Sequence, residues 1–239
     1  MRQVLIFFLM CGLSYYASAQ IEISFSTGYG YYAMSKMAAL QSELAKQFVA
    51  QPKTTSSFPP YWYYTGTVNV ELQPNISAGF SVAYGSTGGR ISYSDYSGSM
   101  TADQLLNYTS IGLPFSYQQK INTHGTSVQL GITPMMCFTK LDLVFNSVLG
   151  DQTQHDSYTF KSTNLQLQPG IALKQQIISR FGIKIELNYT LDVAKDKLKY
   201  EDNKDSYLQD NEGNKVTADW SGARMAVGLY YRFNDYNGN

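Results

Sequence analysis

The sequence predicts an all-β fold, an eight-stranded antiparallel up-and-down transmembrane β-barrel with a short helix in its first extracellular loop. Three observations predict it. Apolar and polar residues alternate with a period of two along eight stretches, each roughly 9 to 11 residues long, the length a tilted strand needs to cross hydrocarbon. Connections between these stretches are long and short in turn, so every second one falls at the same end of an up-and-down barrel. The chain also opens on an export signal.

That signal consists of Arg2, the apolar run Val4 to Met10, and Ala17-Ser18-Ala19 before Gln20. Cleavage is expected after Ala19, which divides the chain into a signal peptide (1–19), a barrel (20–233) and a short periplasmic tail (234–239). Cys11 lies inside the apolar run behind Met10, where a lipidation site needs a small residue. Its removal leaves Cys137 alone, so no intramolecular disulfide can form. The 18 Lys+Arg and 18 Asp+Glu balance, and no basic patch suggests nucleic acid. After the signal no apolar run reaches the roughly 18 residues of a spanning helix.

The first strand is "IEISFSTGYGYYAM", with Ile21, Ile23, Phe25, Tyr29 and Tyr31 on one face and Glu22, Ser24, Ser26, Gly28 and Gly30 on the other. Met34, Met37, Leu40, Leu44 and Phe48 then recur at helical spacing, opposite Glu43 and Lys46, and predict a short helix over the barrel mouth. The second strand is "YWYYTGTVNVEL" and the third "ISAGFSVAYG", joined by the turn residues of "QPN". The fourth is centred on "TSIGLPFSYQ", and "NTHG" turns the chain into the fifth, "SVQLGITPMMCF". The sixth is "NLQLQPGIALK", the seventh "FGIKIELNYTLD", and the eighth "WSGARMAVGLYYRF". Residues 86–108, the polar stretch around "GDQTQHDSYTF" and the charged stretch "KDKLKYEDNKDSYLQDNEGNK" are expected to be the remaining long loops.

A soluble barrel would place the apolar stripes inside, and a barrel in lipid places them outside. Glycine and serine in the polar stripes of strands one and three suit a narrow filled lumen, and aromatic residues sit at the ends of the apolar stripes as interfacial girdles do. The apolar-outside arrangement follows. Glu71, Lys174, Lys184, Glu186, Arg224 and Arg232 then point inward, a mixed-sign set expected to pair as a lumen charge network.

The end of strand eight, Gly228-Leu229-Tyr230-Tyr231-Arg232-Phe233, resembles the β-signal that the barrel assembly machinery reads, with Gly228, Tyr231 and Phe233 at the motif positions. Over the mature chain the protein resembles the eight-stranded outer-membrane barrels of the OmpA, OmpX and OmpW type. The resemblance implies residence in the outer membrane of a Gram-negative bacterium. Its implied partners are membrane lipid, lipopolysaccharide and the assembly machinery, with no cofactor. Two functions stay open: a plugged barrel with a structural or loop-mediated interaction role, and an OmpW-like conduit for small hydrophobic molecules. For the conduit, Pro114, Pro134 and Pro169 interrupt three adjacent strands. Of the 2 histidines, His155 in "QHDSY" resembles the His-x-Ser pair of lipid A deacylase barrels, but Leu165 and Leu167 stand where that family carries its carboxylate. No catalytic residue and no metal site is expected.

Overall fold

The computed structural model describes residues 20–47, 52–122, 125–203 and 205–233. The expected signal and tail, Phe48 and His124 lie outside them. The elements are β1 (Ile21–Gly30), α1 (Ser35–Gln47), β2 (Lys53–Ser57), β3 (Tyr61–Gln73), β4 (Ile76–Asp95), β5 (Gly98–Gly112), β6 (Phe115–Lys120), β7 (Thr126–Leu149), β8 (Gln152–Ile178), β9 (Phe181–Ala194), β10 (Lys199–Tyr200) and β11 (Gly222–Arg232). Eight antiparallel walls form a ring: β1, β3, β4, β5 with its continuation β6, β7, β8, β9 and β11. The ring closes where β11 pairs with β1, from Glu22↔Arg232 to Gly30↔Arg224. Closure leaves the barrel proper without a free edge, the condition for a β-structure in hydrocarbon.

The apolar stripe faces outward. Phe25 is 58% exposed and its neighbour Ser26 is 1% exposed; Met225 is 57% exposed and Arg224 is 2% exposed. On β7 the outward row reads Val128, Leu130, Ile132, Pro134, Met136, Phe138, and then becomes charged at Lys140 and Asp142. The same change occurs on β8, where Leu165 to Leu173 gives way to Thr163 and Lys161. A continuous apolar belt of this kind far exceeds the few hundred Å² that a soluble monomer tolerates, and lipid is the solvent that suits it. Aromatic rings border the belt, Tyr29 against Trp62 near the upper rim (5.6 Å between centroids) and Tyr231 against Phe233 near the lower (5.1 Å). Inward glycines make room for rings: a Cβ on Gly85 would overlap the Tyr108 ring, and one on Gly182 the Tyr230 ring.

Two of the expected long loops are strands. β4 runs on to Asp95 and β5 begins at Gly98, so Tyr96-Ser97 alone turns the chain; β7 and β8 likewise turn at Gly150-Asp151. Above the lipid belt the outward face meets water, apolar alternation is lost, and the period of two no longer marks the strand. Among its described residues the connection from 195 to 221 contributes the two-residue β10, which pairs with β8 at Lys199↔Lys161 and Tyr200↔Phe160.

The expected helix is present as α1. Met37 and Leu40 are buried by it, together with Met34 just before it and Phe58 just after β2. Gln41 on the same face donates from Nε2 to the Ser56 carbonyl at 2.7 Å. Beneath the helix lie Leu106, Leu141, Leu143 and Phe160 from the tall hairpins, and Leu198, Val216, Ala218 and Trp220 from the last connection. The upper mouth is therefore closed by a close-packed apolar core of the kind found in soluble domains.

The prolines do not form bulges. The β7–β8 ladder passes Pro134 and Pro169 without a change of register, and Gly112↔Met135 and Phe115↔Ile132 keep one register across Leu113-Pro114. Short gaps open instead: at Pro114 in the pairing with both β4 and β7, at Pro134 in the pairing with β5 and β6, and at Pro169 in the pairing with β9. Between β8 and β9 the pairing skips from Leu167↔Leu191 to Gly170↔Asn188, and the Gln168 side chain bridges the gap to Thr190 Oγ1 at 3.0 Å.

Candidate functional site: the filled bore

The inward faces form three tiers. At the lower end Glu22 accepts from Lys174 Nζ at 2.5 Å and from Arg232 Nε at 3.0 Å. Gln118 Oε1 accepts a further hydrogen bond from each cation, at 3.3 Å from Lys174 Nζ and 3.4 Å from Arg232 Nη2. The Tyr230 ring lies between them, 4.8 Å from Lys174 Nζ and 5.0 Å from the Arg232 guanidinium carbon. Four walls thus meet in one charge cluster that blocks the lower opening. Lys174 and Arg232 are ion-paired, though not with a carboxylate of the expected set. Their anion is Glu22, a residue of the inward stripe that the sequence-based network omitted.

In the middle tier Lys184 is ion-paired with Glu186 and donates to Ser24 Oγ at 2.9 Å. Beside this pair is a polar cavity of about 100 Å³ whose lining includes Tyr63, Asn69, Gln168 and Asn188. In the upper tier Arg224 donates from Nη1 to the Tyr108 hydroxyl at 3.0 Å, with its guanidinium carbon 5.0 to 5.6 Å from the Tyr32, Tyr63 and Tyr108 ring centroids. Arg224 therefore does not pair with a carboxylate as expected; aromatic rings enclose it. Nearby Asp192 accepts from Gln166 Nε2 (2.6 Å), Asn164 Nδ2 (3.2 Å) and the Trp220 backbone N–H (2.7 Å), tying the last connection to the wall. Trp220 Nε1 donates to Thr139 Oγ1 at 2.8 Å.

Glu71 departs from the expected network. Its carboxylate accepts the Asn75 backbone N–H at 3.2 Å and stabilises the exposed turn between β3 and β4, where Asn75 adopts φ +71°. Cys137 faces the bore and is fully buried. His155 sits on the tall β7–β8 hairpin with Nδ1 2.5 Å from Asn146 Oδ1, while Asp156 accepts from Gln154 at 2.8 Å, so the structure gives the His155-Asp156-Ser157 stretch no mutual hydrogen bond. No group of three or more metal-ligating side chains occurs among the described residues. Gly228 points inward under Lys184 and Ser26, whereas Tyr231 and Phe233 face outward at the lower girdle.

On the outer wall an apolar groove of about 710 Å³ lies across β8, β9, β11 and β1, floored at Pro169, Gly170 and Ala223 and walled by Tyr29, Leu187 and Tyr189. Gly170, Ile171 and Asn188 line both this groove and the inner polar cavity. Only one strand thickness, next to the Pro169 gap, separates the two spaces.

A closed antiparallel ring of eight walls with an outward apolar belt and a filled bore defines the class of small transmembrane β-barrels of the outer-membrane type. No family model and no curated protein matches the chain. Among solved structures it is similar to Neisserial surface protein A, at 10% identity and TM-score 0.45 over 90% of this chain and 99% of that one. It is also similar to a major outer membrane protein from Thermus thermophilus (11% identity, TM-score 0.40, 89% and 99% covered). The attachment invasion locus protein Ail of Yersinia pestis aligns at 14% identity and TM-score 0.36, over 90% and 97% of the two chains.

Proposed function

We propose that this protein is a plugged outer-membrane barrel whose role is structural or is exerted through the elements above the membrane. The observation that carries this reading is closure at both ends of the bore: the Glu22–Lys174–Arg232 cluster below and the α1-capped apolar core above. In this reading the two closures deny water and ions a continuous polar path. The tall hairpins carry the exposed chemistry, including ion pairs of Arg90 with Asp103 and of Lys161 with Glu201. In this reading lipid and lipopolysaccharide surround the belt, and Gly228, Tyr231 and Phe233 address the chain to the assembly machinery. In planar bilayers the purified protein is expected to give no stepwise conductance, and steady single-channel openings of the wild type would overturn the plug.

A second reading, a lateral conduit for small hydrophobic molecules, draws support from the thin wall shared by the outer groove and the inner cavity at Gly170 and Asn188. Uptake of an apolar dye into proteoliposomes, slowed by replacing Pro169 with Val, is the outcome it requires. Equal uptake by both proteins and by empty liposomes would reject it.

A further inference from the structure

One outward row of the upper belt sets small side chains between large ones. Ala223 pairs with Tyr189 on β9, and on its other side its carbonyl accepts the Tyr31 backbone N–H at 2.9 Å. Pro169 lies beyond Tyr189, at the gap in the β8–β9 ladder. One row lower, Ile171, Leu187, Met225 and Tyr29 stand in register and all are large. The shortfall at Ala223 and Pro169 is the apolar groove of about 710 Å³. Tyrosines frame it: Tyr29, Tyr31 and Tyr189 are 48%, 64% and 49% exposed. Their hydroxyls have no hydrogen-bond partner among the described residues, whereas the outward hydroxyls of Tyr84 and Tyr117 are held by Asn107 and Gln119.

The groove is continuous with the apolar belt and lies beneath the upper aromatic girdle, so acyl chains are the solvent at its mouth. Lipid tails are as apolar as the wall, and no hydrophobic gain draws one inward. Contact does, because an unfilled hollow forfeits the dispersion attraction of every atom that lines it. A slot between rings meets a single chain on three sides, where a plain wall meets it on one. The floor at Gly170 and Asn188 also belongs to the inner polar cavity, so a chain lying there covers the thinnest part of the wall.

We infer that this groove is the seat of one acyl chain of a lipid in the leaflet on the α1 side. The chain lies over Ala223 between the Tyr31 and Tyr189 rings, with its ester end at their hydroxyls. It exchanges more slowly than the lipid around the rest of the belt and seals the Pro169 gap from outside. The seat depends on the belt lying in lipid and not on whether the bore is plugged.

The test uses the full mature chain in mild detergent, titrated with a diacyl phosphatidylcholine and followed by native mass spectrometry. One lipid is expected to stay bound at collision energies that strip the micelle and every further lipid. Ala223→Trp fills the groove from an outward position; it should fold, as the boiled-versus-unboiled gel shift reports, and need about tenfold more lipid for half-occupancy. Val227→Trp, equally outward on β11 but below the groove, should leave half-occupancy unchanged. In wild-type crystals grown with a lipid of brominated chains, bromine anomalous peaks should lie over Ala223. Wild-type protein that sheds all its lipid together, or equal weakening by the two tryptophans, would overturn the inference and leave ordinary boundary lipid. Absence of bromine over Ala223 would overturn it even if Ala223→Trp fails to fold.

Discussion

Replacing Glu22 with Ala removes one carboxylate and strands two cations. The side chains of Glu22, Lys174 and Arg232 are 10%, 1% and 14% exposed, so solvent screens them little. After the substitution their nearby acceptor is the neutral Gln118 oxygen, at 3.3 and 3.4 Å. Breaking a buried pair by deleting one partner costs about 3–5 kcal/mol, because the remaining charge stays buried. The expected loss of stability for Glu22→Ala lies in that range, measured by urea unfolding in micelles with tryptophan fluorescence and the gel-mobility shift as two probes. Lys174→Met in the Glu22→Ala background should recover much of the loss, since an apolar chain of similar length replaces the stranded ammonium. A Glu22→Ala protein within about 1 kcal/mol of wild type would refute this account of the lower plug. Losses that simply add in the double variant would refute it too.

Two further outcomes follow from the upper half. Met37 is fully buried on the inner face of α1, so Met37→Ala should destabilise the cap by about 2–5 kcal/mol and loosen β2, letting trypsin cleave after the already exposed Lys53 in intact membranes, while the boiled-versus-unboiled gel shift persists. At the β4–β5 tip, hydrogen bonds from the Ser97 hydroxyl, the Tyr93 hydroxyl and the Ser97 backbone hold the Asp95 carboxyl at about 2 rather than 3.8. A depressed carboxyl stabilises the tip above its unfolded value and loses that contribution as pH falls through the folded one. Amide-exchange protection of Ser97 and Gly98 should therefore be level from neutral pH to about 4 and decline from there towards about 2. Protection already lost at about pH 5 would contradict the turn geometry.

Alternation located all eight walls, because the lipid belt imposes period two wherever it touches the chain, and the glycine and serine of the polar stripes with the aromatic girdles indicated which face is outward. Where lipid stops, the signal stops: residues 86–108 look like a loop in sequence because their outward positions carry Ser86, Gly88, Arg90 and Ser92, which suit water on either a strand or a loop. Glu22 was legible in principle. Closure makes the first and last strands neighbours, and counting the pairs inward puts Glu22 opposite Arg232. The aromatic cage of Arg224 was not legible, since Tyr32, Tyr63 and Tyr108 come from three separated segments and their convergence depends on the shear of the barrel. Glu71 was misplaced for a local reason, because an inward parity carries no information once the strand reaches its turn.

The Glu22–Arg232 contact also bears on how the barrel zips shut. β1 and β11 are the paired walls farthest apart in sequence, and their apolar outer rows are nearly uniform, so hydrocarbon contacts discriminate poorly among alignments. A slip of one residue would turn Arg232 towards lipid at the expense of about 2–4 kcal/mol if it reached the bilayer midplane, and less near the rim. A slip of two would keep every face correct and yet carry Arg232 past Glu22, leaving the Lys174 cluster incomplete. The charge pair thus acts as a proofreading latch on the seam, accepting the alignment in which the first and last strands meet in register.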